Sequence, residues 1–342
     1  MLIRKTQDLF RDILIFRYIV SPNLWENITS IFGETNTWHC NAPRSEYKIL
    51  KKDNFSQLSR LGIYLRDALI PRLPFKEPKN IYIKCDNPAK TADKEAWFFV
   101  NGVATNEKVA KWNGKRLRDL FNRPITVLFN PTNGLGMDLV ECIFDRTLEW
   151  TTEPAKYVKK SLAKALKEKE KVIVIAHSQG GIIVAAALEK LAKKYQKYLH
   201  KLEIYTFACP ADEMATMAKC VENFCTTTKP YLEHFVNGQD LVAKLGVLRA
   251  KKCWESRSWS NRFLNCAVPK LLVDSQERKF FGIDIEGDIY VKDRKGHLLN
   301  AHYLLDFEEE PYKNCRDYSK QAKLYRYLDS GCGEVYIGLI ED

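Results

Sequence analysis

Between about residues 95 and 240 the chain alternates short, almost wholly apolar runs with longer stretches in which apolar side chains recur every three or four positions. The short runs are AWFFVNG (96–102), ITVLFNP (125–131), KVIVIAHS (171–178), LEIYTFACP (202–210) and YLEHFVNG (231–238), all rich in β-branched and aromatic residues. Continuous apolar runs of this length fit strands covered on both faces. The stretches between them, EKVAKWNGKRLRDLF, MDLVECIFDRTLEW with the lysine-rich segment after it, and GGIIVAAALEKLAKKY, carry helical spacing. Parallel neighbouring strands need such crossovers. The pattern predicts an α/β domain over 95–342, with a mostly parallel central sheet flanked by helices.

Residues 1–94 read differently. LFRDILIFRYIV and FSQLSRLGIYLRDALI place apolar residues at helical spacing, and Pro71 and Pro74 end the second stretch. They predict an N-terminal helical extension packing on the core, with a membrane-surface anchor as the alternative for its first helix. Residues 241–290 are the least regular, setting Trp254, Trp259, Phe263, Phe280 and Phe281 among polar residues. Long excursions of this kind within compact domains are often functional, and a cap or lid is the reading here.

With 45% hydrophobic and 28% charged residues over 342 positions, the chain has the composition of a folded globular protein. Its formal net charge is +11, much of the excess lying in KYVKKSLAKALKEKEK and EKLAKKYQKYLHK. Lysines between apolar residues at helical spacing read first as a solvated helix face. Peripheral contact with an anionic membrane is the alternative. No nucleic-acid motif accompanies them, and nucleic acid is not an expected partner. The ten cysteines are scattered without zinc-ligand spacing, so neither a metal nor another cofactor is expected. Arg11, Asp12 and Arg17 interrupt what would be the apolar core of a signal peptide. No apolar stretch approaches the ~20 residues that span a bilayer. The expectation is a cytoplasmic protein with reduced thiols.

The chemistry is concentrated in AHSQGG, which follows the apolar run VIVIA and opens directly into a helical pattern. A nucleophilic serine must be held out at a sharp strand-to-helix turn, and small residues must flank it so that the turn can close. Ala176, Gly180 and Gly181 meet that requirement around Ser178. The same turn puts the backbone N–H of Gln179 at a helix N-terminus, where it can stabilise a developing oxyanion. The plainer reading of Ser178 is a helix N-cap.

From about residue 95 to 305 the chain resembles the lipase and esterase branch of the α/β-hydrolase superfamily. The resemblance implies an α/β-hydrolase fold and a Ser–Asp/Glu–His triad in that chain order. Asp240, in HFVNGQDLVAKLG, matches the acid loop, and Asp212, in ACPADEM, is the alternative acid. GHLLNAHYL offers two histidines for the base: His302 is preferred, because a small residue, histidine and aromatic in sequence resemble the family's histidine loop, and His297 is the alternative. His177 reads as a support residue and His234 as a core histidine. The second oxyanion donor is expected from FVNGVATN, where Gly102 allows close backbone approach and Val103 or Ala104 supplies the N–H. Two positions depart from the family pattern: Ala176 stands for the usual first glycine, and Asn101-Gly102 for His-Gly.

The expected activity is hydrolysis of a carboxylic ester, including a lipid ester, through an acyl-enzyme on Ser178. An acyltransferase or thioesterase on the same fold, and a catalytically silent protein binding a membrane or another protein, are the competing classes.

Overall fold

In the computed structural model the described residues are 43–48, 81–86, 94–102, 105–130, 153–214, 228–248 and 284–328. In chain order they form β1 (Ile81–Cys85), β2 (Glu95–Val100), α1 (Glu107–Phe121), β3 (Ile125–Phe129), α2 (Glu153–Glu168), β4 (Lys171–His177), α3 (Gln179–Tyr195), β5 (Leu202–Phe207), β6 (Glu213–Met214), β7 (Tyr231–Asn237), α4 (Leu241–Leu245), β8 (Asp284–Ile285), β9 (Asp288–Lys292) and β10 (Lys313–Asn314).

Eight strands make one sheet in the order β1-β3-β2-β4-β5-β7-β9-β10. The six inner strands are parallel, and only β1 and β10, at the two edges, run antiparallel to their neighbours. All five apolar runs of the sequence are strands of the parallel portion, and their side chains alternate between two cores. Val172, Val174 and Ala176 of β4 face α2 and α3, packing with Val158, Leu162, Val184 and Leu188. Ile173 and Ile175 face the opposite way, toward Leu117 and Phe121 of α1 and an aromatic cluster built on Phe207, Phe235, Tyr290 and Phe307. Phe207, Phe235 and Tyr290 stack across adjacent strands at centroid separations of 4.9 and 5.5 Å. Burial on both faces explains why these strands read as continuous rather than alternating runs.

Two boundaries differ from the sequence reading. Residues 81–85, expected within a helical extension, add the edge strand β1, with Ile83 and Cys85 buried and Tyr82 and Lys84 exposed. The sheet therefore begins before residue 95. At the other end, β9 starts at Asp288, within the excursion expected to run to 290, so the core resumes earlier than expected. The two helical stretches expected before residue 75, and residues 249–283 of the excursion, lie outside the described residues; between the two stretches, residues 43–48 are described and include a short 3-10 turn (Glu46–Lys48). Among the described residues no helix is long and apolar enough to cross a membrane.

Candidate active site

The C-terminal ends of β4, β7 and β9 bring three segments together. At the end of β4 the chain turns straight into α3, and Ser178 carries the turn with φ 56° and ψ −128°. A positive φ on a residue with a side chain is strained, and such strain persists only where the surroundings impose it. The surroundings here are very close. A Cβ added to Gly180 would lie 2.3 Å from the carbonyl oxygen of Val100, and one on Gly102 would lie 2.5 Å from the Cβ of Ser178. Glycine at both positions lets the helix start and the β2 loop press against the serine. Ser178 makes no side-chain capping bond to α3, which removes the plain N-cap reading.

Its Oγ instead lies 2.9 Å from Nε2 of His297, and Nδ1 of His297 lies 2.9 Å from Oδ2 of Asp240. All three side chains are buried. Asp240 leaves β7 through a tight turn and caps α4, its Oδ1 accepting from the N–H of Val242 at 2.8 Å. Its Oδ2 also accepts from the hydroxyl of Tyr303 at 2.7 Å. Burial and the Asp240 charge raise the Tyr303 phenol well above its ordinary range, so it stays a donor. The alternative acid, Asp212, is buried after β5, but the carboxylate on His297 is that of Asp240.

The histidine brought to Ser178 is thus His297, not the preferred His302. The turn that decides this is at Gly296, whose φ of +102° is a backbone state open to glycine. It swings His297 toward Ser178, while His302 sits in a π-helical turn (Leu299–Tyr303) with its ring packed back over Gly296. Nδ1 of His302 accepts from the N–H of Leu298 at 2.9 Å, and its Nε2 lies 3.3 Å from the hydroxyl of Tyr47. The glycine directly before His297 is the sequence feature that could have pointed to it.

Several residues hold the His297 loop, and most were not singled out in the sequence. Nε2 of His177 donates to the carbonyl of His297 at 2.7 Å; burial and the neighbouring His297 push the His177 pKa down to about 3, so it stays neutral in this support role. Asn237 Nδ2 donates to the Gly296 carbonyl at 2.9 Å. From far away in sequence, the buried carboxylate of Glu46 accepts from the N–H groups of Asn300 and Ala301 at 2.9 and 3.0 Å. Burial pushes the Glu46 pKa up to about 7 against the pull of those bonds and of His297.

On the other side of the serine three buried amides form a chain. Asn101 Oδ1 accepts from the N–H of Asn130 at 2.8 Å, and Asn130 Nδ2 donates to Gln179 Oε1 at 3.0 Å. Asn101 Nδ2 donates to the carbonyls of Asn130 and Gly102 at 2.8 and 3.1 Å. The asparagine that replaces the family's histidine before Gly102 thus ties the β2 loop to β3 and to the start of α3. Val103 and Ala104 lie outside the described residues. His234, read as a core residue, is fully buried in β7, where burial lowers its pKa to about 4.

The sheet order, the strained serine between β4 and α3, and the residues brought to it from the ends of β7 and β9 can be set beside known families. The family described as Lipase (class 3) matches residues 115–249, a span that includes both Ser178 and Asp240. The fold is of the α/β-hydrolase type. Solved structures similar to this chain include a provisionally assigned thioesterase from Silicibacter sp., at 12% identity and a TM-score of 0.40, covering 76% of this chain and 93% of that one. A hyperthermophilic esterase from the archaeon Pyrobaculum calidifontis is 8% identical with a TM-score of 0.38, over 75% of this chain and 90% of its own. Alpha/beta hydrolase domain-containing protein 10 from mouse is 12% identical with a TM-score of 0.30, over 66% and 90%. No curated protein matches this chain in sequence.

Proposed function

We propose that this protein is a lipase- or esterase-like serine hydrolase that cleaves carboxylic esters, with Ser178 as nucleophile, His297 as base and Asp240 as the acid that orients it. The observation that carries the reading is the unbroken hydrogen-bond path from Ser178 Oγ through the His297 ring to Asp240, starting from a serine in a strained turn. The class 3 lipase match supports it.

In this mechanism Nε2 of His297 takes the Ser178 hydroxyl proton as Oγ attacks the ester carbonyl. The negative charge that develops on the carbonyl oxygen is met by the N–H of Gln179, which at the first turn of α3 has no intrahelical acceptor, and by an N–H of the loop after Gly102. Collapse of the tetrahedral intermediate expels the alcohol with the proton from His297. Water then attacks the acyl-enzyme, giving its proton to the same nitrogen, and the acid departs as Ser178 Oγ regains a proton. Asp240 and Tyr303 keep the imidazole with its proton on Nδ1 and Nε2 free to accept.

The test is covalent labelling with a fluorophosphonate probe, which reacts with activated serines. The wild type should label and Ser178→Ala should not, with turnover of a p-nitrophenyl ester falling on the order of a millionfold in the variant. A folded wild type that does not label, or an alanine variant that does, would overturn the proposal.

A further inference from the structure

The lysines that the sequence presents as a solvated helix face are gathered by the fold around a groove. Lys156, Lys160, Lys164 and Lys167 recur at three- and four-residue intervals on α2 and so share one face. With Lys159, and with Lys190 from α3, they line a depression of about 780 Å³ completed by Ala163, Glu168 and Tyr195. Its volume is that of a small-molecule site.

Like charges four residues apart on a helix destabilise it, by a few tenths of a kcal/mol per pair. Here Lys156, Lys160 and Lys164 form such a ladder. Among the described residues, Lys156 is partnered by Glu153 and Lys167 lies over the Tyr195 ring, whereas Lys159, Lys160 and Lys164 have no ion pair. Lys190 is half-buried, and among the described residues its Nζ has no hydrogen-bond partner. Burial lowers its pKa; Glu189 opposes that shift, and the charges of Lys156, Lys159 and Lys193 add to it. Ammonium groups drawn even partly out of water are normally paired, because desolvation without a partner is costly. An unpaired one ringed by further cations is an arrangement that an anion would relieve.

We infer that the α2–α3 groove is a binding site for an anion carrying more than one phosphate group, with Lys190 at its floor and Lys159, Lys160 and Lys164 at its rim. Lys190 lies twelve positions after Ser178, about 18 Å along α3 at 1.5 Å per residue, so the site is separate from the serine and independent of the proposed hydrolysis. Several lysines spread over two helices suit a ligand with spaced phosphates better than a single orthophosphate. Such phosphates are carried by soluble polyphosphorylated molecules and by anionic lipid headgroups.

Two arms separate those sources. Titration calorimetry with sodium tripolyphosphate at 0.15 M salt should give saturable one-to-one binding to the wild type. Lys190→Met, which keeps the apolar stem, should weaken it at least tenfold, and Lys313→Gln, on β10, should change it less than twofold. Tripolyphosphate should also raise the thermal midpoint of the wild type and not of Lys190→Met. Should Lys190→Met fold poorly, the surface double variant Lys160→Gln/Lys164→Gln replaces it with the same expected loss. Flotation with vesicles containing a phosphatidylinositol bisphosphate assigns the source: binding that tripolyphosphate competes away identifies a headgroup site, and binding of tripolyphosphate alone identifies a soluble ligand. Absence of saturable binding in both arms, or equal losses in Lys190→Met and Lys313→Gln, would overturn the inference.

Discussion

Ser178 and His297 meet at 2.9 Å, yet the chain positions them in opposite ways. The serine is fixed by its immediate neighbours: a buried strand before it, a helix after it, and Gly180 and Gly181, which let that helix close against Val100 and Cys209. The histidine sits in a loop whose shape depends on contacts from His177, Asn237 and, across most of the chain, Glu46. A local device tolerates distant change and fails at once when its own glycines are altered. A loop held from several directions should instead lose function by degrees, one support at a time.

The sharpest way to break the local half is Gly180→Ala. Alanine is favoured over glycine in a helix by up to about 1 kcal/mol, so propensity alone predicts a gain in stability. The 2.3 Å approach to a backbone oxygen that cannot rotate away predicts the reverse. We expect a loss of about 1–3 kcal/mol in chemical denaturation, as for overpacked cores, together with a fall of at least a hundredfold in esterase turnover as Ser178 is displaced.

The distributed half gives smaller effects. Tyr303→Phe deletes one hydrogen bond to the Asp240 carboxylate and leaves the N–H of Asn237 without its hydroxyl partner. Hydrogen bonds to charged groups contribute roughly 1.5–3 kcal/mol, so kcat should fall about ten- to a hundredfold with KM little changed. Smallest is the support from Glu46. Its folded-state pKa, raised from 4.5 to about 7, means that it favours the docked segment fully below about pH 4.5, and that this contribution is lost as pH rises through 7. Hydrogen exchange of the Asn300 and Ala301 amides should therefore quicken between pH 5 and 8 beyond the intrinsic chemical rate. Glu46→Gln should flatten that excess and change activity at pH 7 only a few-fold.

The same contrast decides what was legible in the sequence. The five parallel strands, their crossover helices and the Ser178 turn depend on contiguous patterns, and each emerged from a few neighbouring residues. Asp240 was legible as a candidate because it lies three residues past the end of β7, in a run that resembles the acid loop. The edge strand β1 carried its signal too, since Ile81, Ile83 and Cys85 alternate with Tyr82 and Lys84, but a five-residue strand is weak against the helical periodicity around it. His297 and His302 are equally spaced candidates in one short loop. The choice between them turns on the left-handed backbone at Gly296 and on side chains from β4, β7 and the N-terminal segment, none of which spacing reveals. Glu46, a carboxylate among polar residues, gave no sign of its place against that loop.

The most direct test of the central claim compares His297→Ala with His302→Ala in steady-state hydrolysis of a p-nitrophenyl ester, after circular dichroism shows both variants folded. If Ser178, His297 and Asp240 act as one unit, His297→Ala should fall as far as Ser178→Ala, and His302→Ala should retain activity within about tenfold of the wild type. Loss of activity in His302→Ala with His297→Ala largely active would contradict the assignment made here.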